Sequence, residues 1–181
     1  MRDSPDGVLS ARPAAFMTAR PRNLPQGTDM DIRIDTPTAP HVAALLAYHL
    51  ADLQAVMGDH ANALDATGLS DPRVTFWTAW RANDLAGFAA LKQLDATHGE
   101  VKSMRAAPSA RGTGVGRALL GHVIAEARRR GYARLSLETG TATLHAPAVA
   151  LYRSAGFVAC DAFADYLPSP HNQFMRLNLA G

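Results

Sequence analysis

Between Ser103 and Leu120 the chain reads S-M-R-A-A-P-S-A-R-G-T-G-V-G-R-A-L-L, the stretch whose residue types and spacing bear most directly on chemistry. Gly112, Gly114 and Gly116 alternate with Thr113 and Val115, freeing the backbone from Cβ sterics where a helical pattern begins. A helix start carries unpaired N–H groups and a partial positive charge, a combination that favours an anion such as phosphate. Glycines alone also fit a flexible turn with no ligand. A strand-like run before them and an amphipathic helix after them give the anion reading its context. The turn is expected to hold a pyrophosphate.

A strand must deliver such a turn and a helix must take it up, and the flanking sequence supplies both. Residues 100–106 (E-V-K-S-M-R-A) read as a strand that Pro108 stops. Val115, Leu119, Leu120, Val123, Ile124 and Ala127 then form one apolar stripe on a helix to about Arg130, ended by Gly131. Residues 135–139 (L-S-L-E-T) return as a strand, which a helical crossover places parallel to 100–106.

Upstream, residues 31–35 alternate as a short strand. Thr36 or Thr38 is expected to cap a helix to about Leu53, with Pro37 or Pro40 in its first turn. Its Val42, Leu45, Leu46, His49, Leu50 and Leu53 recur at helical spacing and read as core. Leu64 and Leu69 pin a short helix within the broken segment 58–72. Residues 74–81 and 85–94 make a hairpin that 100–106 extends to a meander. Downstream, Pro147 opens a helix that Gly156 ends; residues 157–163 and 173–179 are strands around a polar, proline-rich loop at 165–171. The class is α+β, or mixed α/β, with a partly parallel sheet, and ligands are expected at the carboxyl end of the parallel pair.

Composition narrows the function classes. The 181 residues, 48% hydrophobic and 19% charged, suit one globular domain over 30–181, with residues 1–29 read as a flexible, proline- and arginine-rich extension. A formal charge of +2 concentrates no basic face for nucleic acid, and the run Arg128–Arg130 falls at a helix end, where it complements the helix dipole. No apolar run approaches the ~20 residues that span a bilayer. Cys160 is the only cysteine, read as a buried structural thiol, and a cytoplasmic protein is expected.

Several families bind phosphate through a glycine turn. A P-loop needs Gly-Lys-Ser/Thr, which does not follow here, and a Rossmann turn needs G-x-G-x-x-G after the first strand, whereas this spacing is G-x-G-x-G, late in the chain. Arg111-Gly112-Thr113-Gly114-Val115-Gly116 instead resembles the [Q/R]-x-x-G-x-[G/A] signature of the GCN5-related N-acetyltransferase (GNAT) family. Residues 148–157 (A-V-A-L-Y-R-S-A-G-F) resemble that family's A-x-x-L-Y-x-x-x-G-F helix, in the family's order and separation. The resemblance covers about residues 31–179.

It implies a central, mainly antiparallel sheet of about six to seven strands, with a splayed parallel pair holding an acyl-coenzyme A, and acetyl-coenzyme A as donor. Met104, Arg105 and Ala106 would pair their backbone with the pantetheine amides. Arg111, Gly112, Thr113, Gly114, Val115, Gly116 and Arg117 would wrap the pyrophosphate through backbone N–H groups. Arg111 and Arg117 could add charge-assisted contacts, and Arg117 reads equally well as a solvated surface arginine. Tyr152 matches the family's tyrosine near the thioester sulfur and would act as general acid; a core tyrosine tied to backbone is the alternative. His145 stands where the family often has a cofactor-contacting asparagine. For the base, Glu138 is the first candidate, with Glu100, Asp165, Tyr166 and His171 as rivals. No metal is called for.

The implied activity is acetyl transfer to a primary amine of a small molecule, amino acid or peptide, by direct attack in a ternary complex. A non-catalytic acyl-coenzyme A-binding module is the alternative. Residues 53–72 and 164–172 are expected to choose the acceptor, and sheet edges offer a homodimer surface.

Overall fold

A computed structural model of the protein describes residues 30–58 and 64–179; the expected extension at 1–29 lies outside the described residues. The alternating D-I-R-I run forms β1 (Asp31–Ile34), paired antiparallel with β2 (Val74–Arg81). Between them lie α1 (Pro40–Met57) and the short α2 (Ala66–Leu69), capped by the Asp65 carboxylate on the Gly68 N–H at 2.8 Å. Pro40 opens α1 as expected, but no threonine caps it. The Thr36 and Thr38 hydroxyls bond each other at 2.9 Å, and Ala39 holds the cap position. The helix also outruns Leu53 by about a turn, because Gln54, Ala55 and Val56 carry no breaker before Gly58.

β2, β3 (Asp84–Gln93) and β4 (His98–Ala106) form the meander. Ala107 and a 3₁₀ turn at Pro108–Ala110 follow, and the glycine turn leads into α3 (Val115–Arg129). α3 buries Val115, Leu119, Leu120, Val123, Ile124 and Ala127, at about 1.5–3 kcal/mol for each large aliphatic side chain. It can approach β3 closely because Gly87 has no side chain: a Cβ there would meet the Arg105 carbonyl oxygen at 2.5 Å and Val115 Cγ1 at 3.0 Å. Of the basic run at the end of α3, Arg129 and Arg130 both bond Glu126, and Arg130 also reaches Thr75 Oγ1 at 2.8 Å.

β5 (Arg134–Gly140) lies parallel to β4, but only from His98↔Arg134 to Glu100↔Ser136. Beyond that register the two strands part. After α4 (Ala146–Ser154), β6 (Val158–Cys160) and β7 (Asn172–Asn178) complete a seven-stranded sheet of order β1-β2-β3-β4-β5-β7-β6. The mixed, mainly antiparallel class expected from sequence is the one observed. Two details differ. β6 is three residues rather than the seven of 157–163, since Phe163 turns its ring onto Phe174 and Tyr166 instead of continuing the ladder. Cys160 is half-buried rather than buried, because β6 is an edge strand.

The two sheet faces carry different cores. On one, α1 sets Val42 and His49 over Phe76 and Phe88, with the His49 ring edge-on to Phe88 at 5.5 Å. On the other, α3 packs Val115 and Leu119 against Gly87, and His122 against Trp77 at 5.2 Å.

Candidate active site

Where β4 and β5 diverge, hydrogen bonding between them stops and a cleft of about 810 Å³ opens, running from the glycine turn to α4. β4 carries a bulge at its mouth: Phe88 pairs with Arg105 and Ala90 with Lys102, so Ala89 alone spans Ser103 and Met104. Ser103 takes a positive φ of 45° there. The bulge aims the backbone of this segment into the cleft, which Ser103, Met104, Arg105 and Ala106 all line.

At the other end, Gly112 and Gly114 take φ of 73° and 90°, and a Cβ on either would meet nothing within 4 Å. Gly114 is the left-handed N-cap of α3 and supplies no side-chain cap, so no side chain competes for the first-turn N–H groups. Gly112, Gly114, Gly116, Arg111 and Arg117 line the cleft. Thr113 and Val115 do not: the Thr113 hydroxyl donates to the Ala110 carbonyl at 2.7 Å, and Val115 is core. The Arg111 guanidinium donates to the Tyr48 hydroxyl at 2.8 Å, tying the turn to α1.

Tyr152, on the inner side of α4, is 8% exposed and packs against Phe157 with ring centroids 5.9 Å apart. Its hydroxyl has no hydrogen-bond partner among the described residues, so it is not tied to backbone, and burial pushes the phenol up to about 12. It stays a proton donor at any physiological pH. Glu138 lines the cleft from β5, where it pairs with Phe174 of β7. His145 lines it too, with Nε2 buried and unpartnered, and burial pushes its imidazole below the ordinary histidine range.

The rival bases separate clearly. Glu100 is 1% exposed; it accepts the Tyr166 hydroxyl at 2.6 Å and lies 3.3 Å from Lys102 Nζ. Lys102 also donates to the Tyr166 hydroxyl. Burial first, and then the charges of Glu100 and Glu138, push that phenol above its ordinary range. Glu100 and Tyr166 are thus engaged with each other and Lys102, while Asp165 and His171 do not line the cleft. Of the expected acceptor-choosing segments, Leu53 borders the cleft and Tyr166 is near enough to Glu138 to feel its charge; residues 59–63 are outside the described residues.

Three side chains at this site were not singled out from the sequence as functional. His49 faces the cleft from α1, Lys102 lines it from β4, and Asp52 pairs with Arg105 at 2.5 Å. His49 followed the apolar spacing of α1 and therefore read as core. The only signal against that was its own polarity at a core position. Cys160 borders a separate pocket with Arg134 and Arg176. Among the described residues no group of three or more His, Cys, Asp or Glu side chains is arranged to hold a metal ion, and no helix is long and apolar enough to cross a membrane.

A bulged strand, a helix-capping glycine turn and a buried tyrosine thus surround one splayed strand pair. Residues 42–157 match the model of the acetyltransferase (GNAT) family, to which the chain belongs. It is 44% identical to an uncharacterized N-acetyltransferase of Bacillus subtilis, over 83% of this chain and all of that protein. It is 45% identical to an uncharacterized N-acetyltransferase of Escherichia coli, over 82% of this chain and 94% of the other. A GNAT family acetyltransferase from Elizabethkingia anophelis, solved with acetyl-CoA bound, superposes with a TM-score of 0.62 over 84% of this chain and all of that one; at 19% identity this speaks to the fold alone.

Proposed function

We propose that the protein transfers an acetyl group from acetyl-coenzyme A to a primary amine of a small molecule, amino acid or peptide, by direct attack in a ternary complex. The observation that carries this reading is one cleft lined both by the glycines at the uncapped start of α3 and by Tyr152 and Glu138. Its residues fit coenzyme A. The open space over Gly112 and Gly114 admits a pyrophosphate close to the backbone, and the unpaired edge of β4 beyond the bulge offers peptide groups to the pantetheine amides. When bound, acetyl-coenzyme A supplies the activated acyl group.

The chain's own residues do the rest. Tyr152, neutral at working pH, donates the proton that the departing thiolate takes up. Glu138 accepts the amine's proton, directly or through water. Backbone N–H groups at the bulge around Met104 meet the developing oxyanion. The lone Cys160 is not among the cleft-lining residues, which supports direct attack over a covalent enzyme intermediate. We assign the protein to the cytoplasm, with residues 30–181 as the catalytic unit and exposed edges at Ile34 and Val158 as the surfaces where a second copy would pair. A thiol-release screen of amine classes with acetyl-coenzyme A tests the reaction. Coenzyme A release with at least one amine is expected. Tight acetyl-coenzyme A binding with no release from any amine would instead mark a non-catalytic binding module.

A further inference from the structure

Six buried side-chain polar atoms lack a hydrogen-bond partner among the described residues, and five belong to residues that line the cleft. They are Nδ1 and Nε2 of His49, Oγ of Ser103, Nε of Arg105 and Nε2 of His145. Each such atom costs about 1–3 kcal/mol when left bare, so a convergence of them marks where complementary groups of a ligand belong.

Ser103 sits at the bulge, and His145, at the head of α4, is near enough to Arg105 and Asp52 to feel both charges. His49 and Arg105 belong to the α1 side of the sheet. His49 rests edge-on against Phe88, the cross-strand partner of Arg105, while Arg105 stacks over Tyr48 at 4.7 Å and spends Nη2 on Asp52. His49 is 5% exposed.

What remains there is specific chemistry. Arg105 Nε–H can only donate, and His49 in its neutral form offers one N–H and one lone pair. Two N–H donors, one on a permanent cation, suit the two oxygens of a carboxylate. A carboxamide can set its oxygen on Arg105 and its NH₂ on the His49 lone pair, but it carries no charge to assist either bond. Elsewhere in the cleft lining, Glu138 on β5 offers a carboxylate that suits an ammonium, whereas Glu100 on β4 is already engaged by Lys102 and Tyr166. Asp52 balances the charge of Arg105, so selection works through hydrogen bonds to buried polar atoms, where a missing partner is costly.

We propose that the acceptor is a small zwitterion, a primary amine that also carries a carboxylate, as in a free amino acid, with its carboxylate held by His49 and Arg105. This rests on the acetyl-transfer reading and narrows the acceptor class within it.

The test compares common L-amino acids, pair by pair, with their carboxamides. Thiol release is measured at saturating acetyl-coenzyme A, and binding of the same pairs to the coenzyme A complex is measured by calorimetry. At least one amino acid should show a kcat/KM tenfold or more above that of its carboxamide. His49→Phe, which keeps the ring packing against Phe88, should bring that ratio to within about twofold through KM, and His49→Gln, which keeps a donor and an acceptor, should restore part of it. Carboxamides turned over as well as their acids throughout, or a ratio that His49→Phe leaves unmoved, would overturn the proposal. If no amine releases thiol, the acetyl-transfer reading falls and calorimetry decides the subsite: tighter binding of an acid than of its amide supports it, and equal or absent binding overturns it.

Discussion

The His145 ring lies where a side chain on Gly140 would have to be: a Cβ built on Gly140 falls 2.4 Å from ring Cδ2 and 2.5 Å from Nε2. The glycine at the end of β5 therefore sets the position of the histidine at the head of α4. Gly140→Ala should expel the ring, cost about 1–3 kcal/mol by overpacking, and weaken coenzyme A binding. A thermal melt and a calorimetric titration with coenzyme A check both effects; unchanged affinity would remove His145 from the donor site.

Tyr152→Phe removes a hydroxyl that has no partner among the described residues, so stability should change by less than about 0.5 kcal/mol. If the phenol is the general acid, kcat should fall roughly 10²-fold or more with coenzyme A affinity intact. The pH dependence follows from the burial that raises this group to about 12. The unfolded chain, with a phenol near 10, loses that proton first, so stability declines between about pH 10 and 12. Single-turnover rates of wild type and variant, with urea melts above pH 9, measure these effects.

His49 carries the opposite pH signature. Burial, and then the Arg105 charge, lower it to about 4 from an ordinary 6.5, so between those values the unfolded chain binds the extra proton. Stability contributed by keeping His49 neutral is whole above about pH 6.5 and is lost as pH falls toward 4, on the order of 3 kcal/mol. His98, His122 and His145 are lowered as well and add in the same direction. Urea melts at pH 7 and pH 5 should show a smaller acid loss in His49→Phe than in wild type.

The Glu100–Tyr166–Lys102 cluster should behave as a unit. Lys102→Met leaves a carboxylate that is 1% exposed without its cation, at a cost of about 3–5 kcal/mol. Tyr166→Phe deletes two hydrogen bonds to charged partners, the one donated to Glu100 and the one accepted from Lys102, worth about 1.5–3 kcal/mol each. In the double variant the two losses should not add, and equilibrium unfolding of all three proteins measures the coupling.

Two glycines of the turn and helix should respond in opposite senses to alanine. Gly114 has φ of 90°, so Gly114→Ala strains the N-cap by about 1–2 kcal/mol and should weaken coenzyme A binding. Gly121 lies inside α3 with nothing within 4 Å of a built Cβ, and Gly121→Ala should stabilise by about 0.5–1 kcal/mol. Melting curves of the two variants provide the check.

Local rules made much of this protein legible. The glycines at 112, 114 and 116, the stripe from Val115 to Ala127 and the crossover to 135–139 needed only periodicity and turn chemistry, and the helix around Tyr152 only its flanking Pro147 and Gly156. Those features fixed the strand, turn and helix of the proposed donor site and the class of sheet. Threonine capping of α1 misled because Thr36 and Thr38 had each other as partners, and the full length of 157–163 misled because Phe163 found a ring cluster.

The proposed acceptor side was not legible, because it is assembled from residues far apart in the chain. Tyr166 meets Glu100 across 66 positions, Arg105 meets Asp52 across 53, and β7 enters between β5 and β6. Helical spacing placed His49 on the inner face of α1, and that part was correct. Spacing says which way a side chain points; it does not say whether packed residues or an open cleft lie there. That was decided only where β4 and β5 part after Glu100 and Ser136, because a gap between two strands is a property of their mutual geometry and of neither sequence alone.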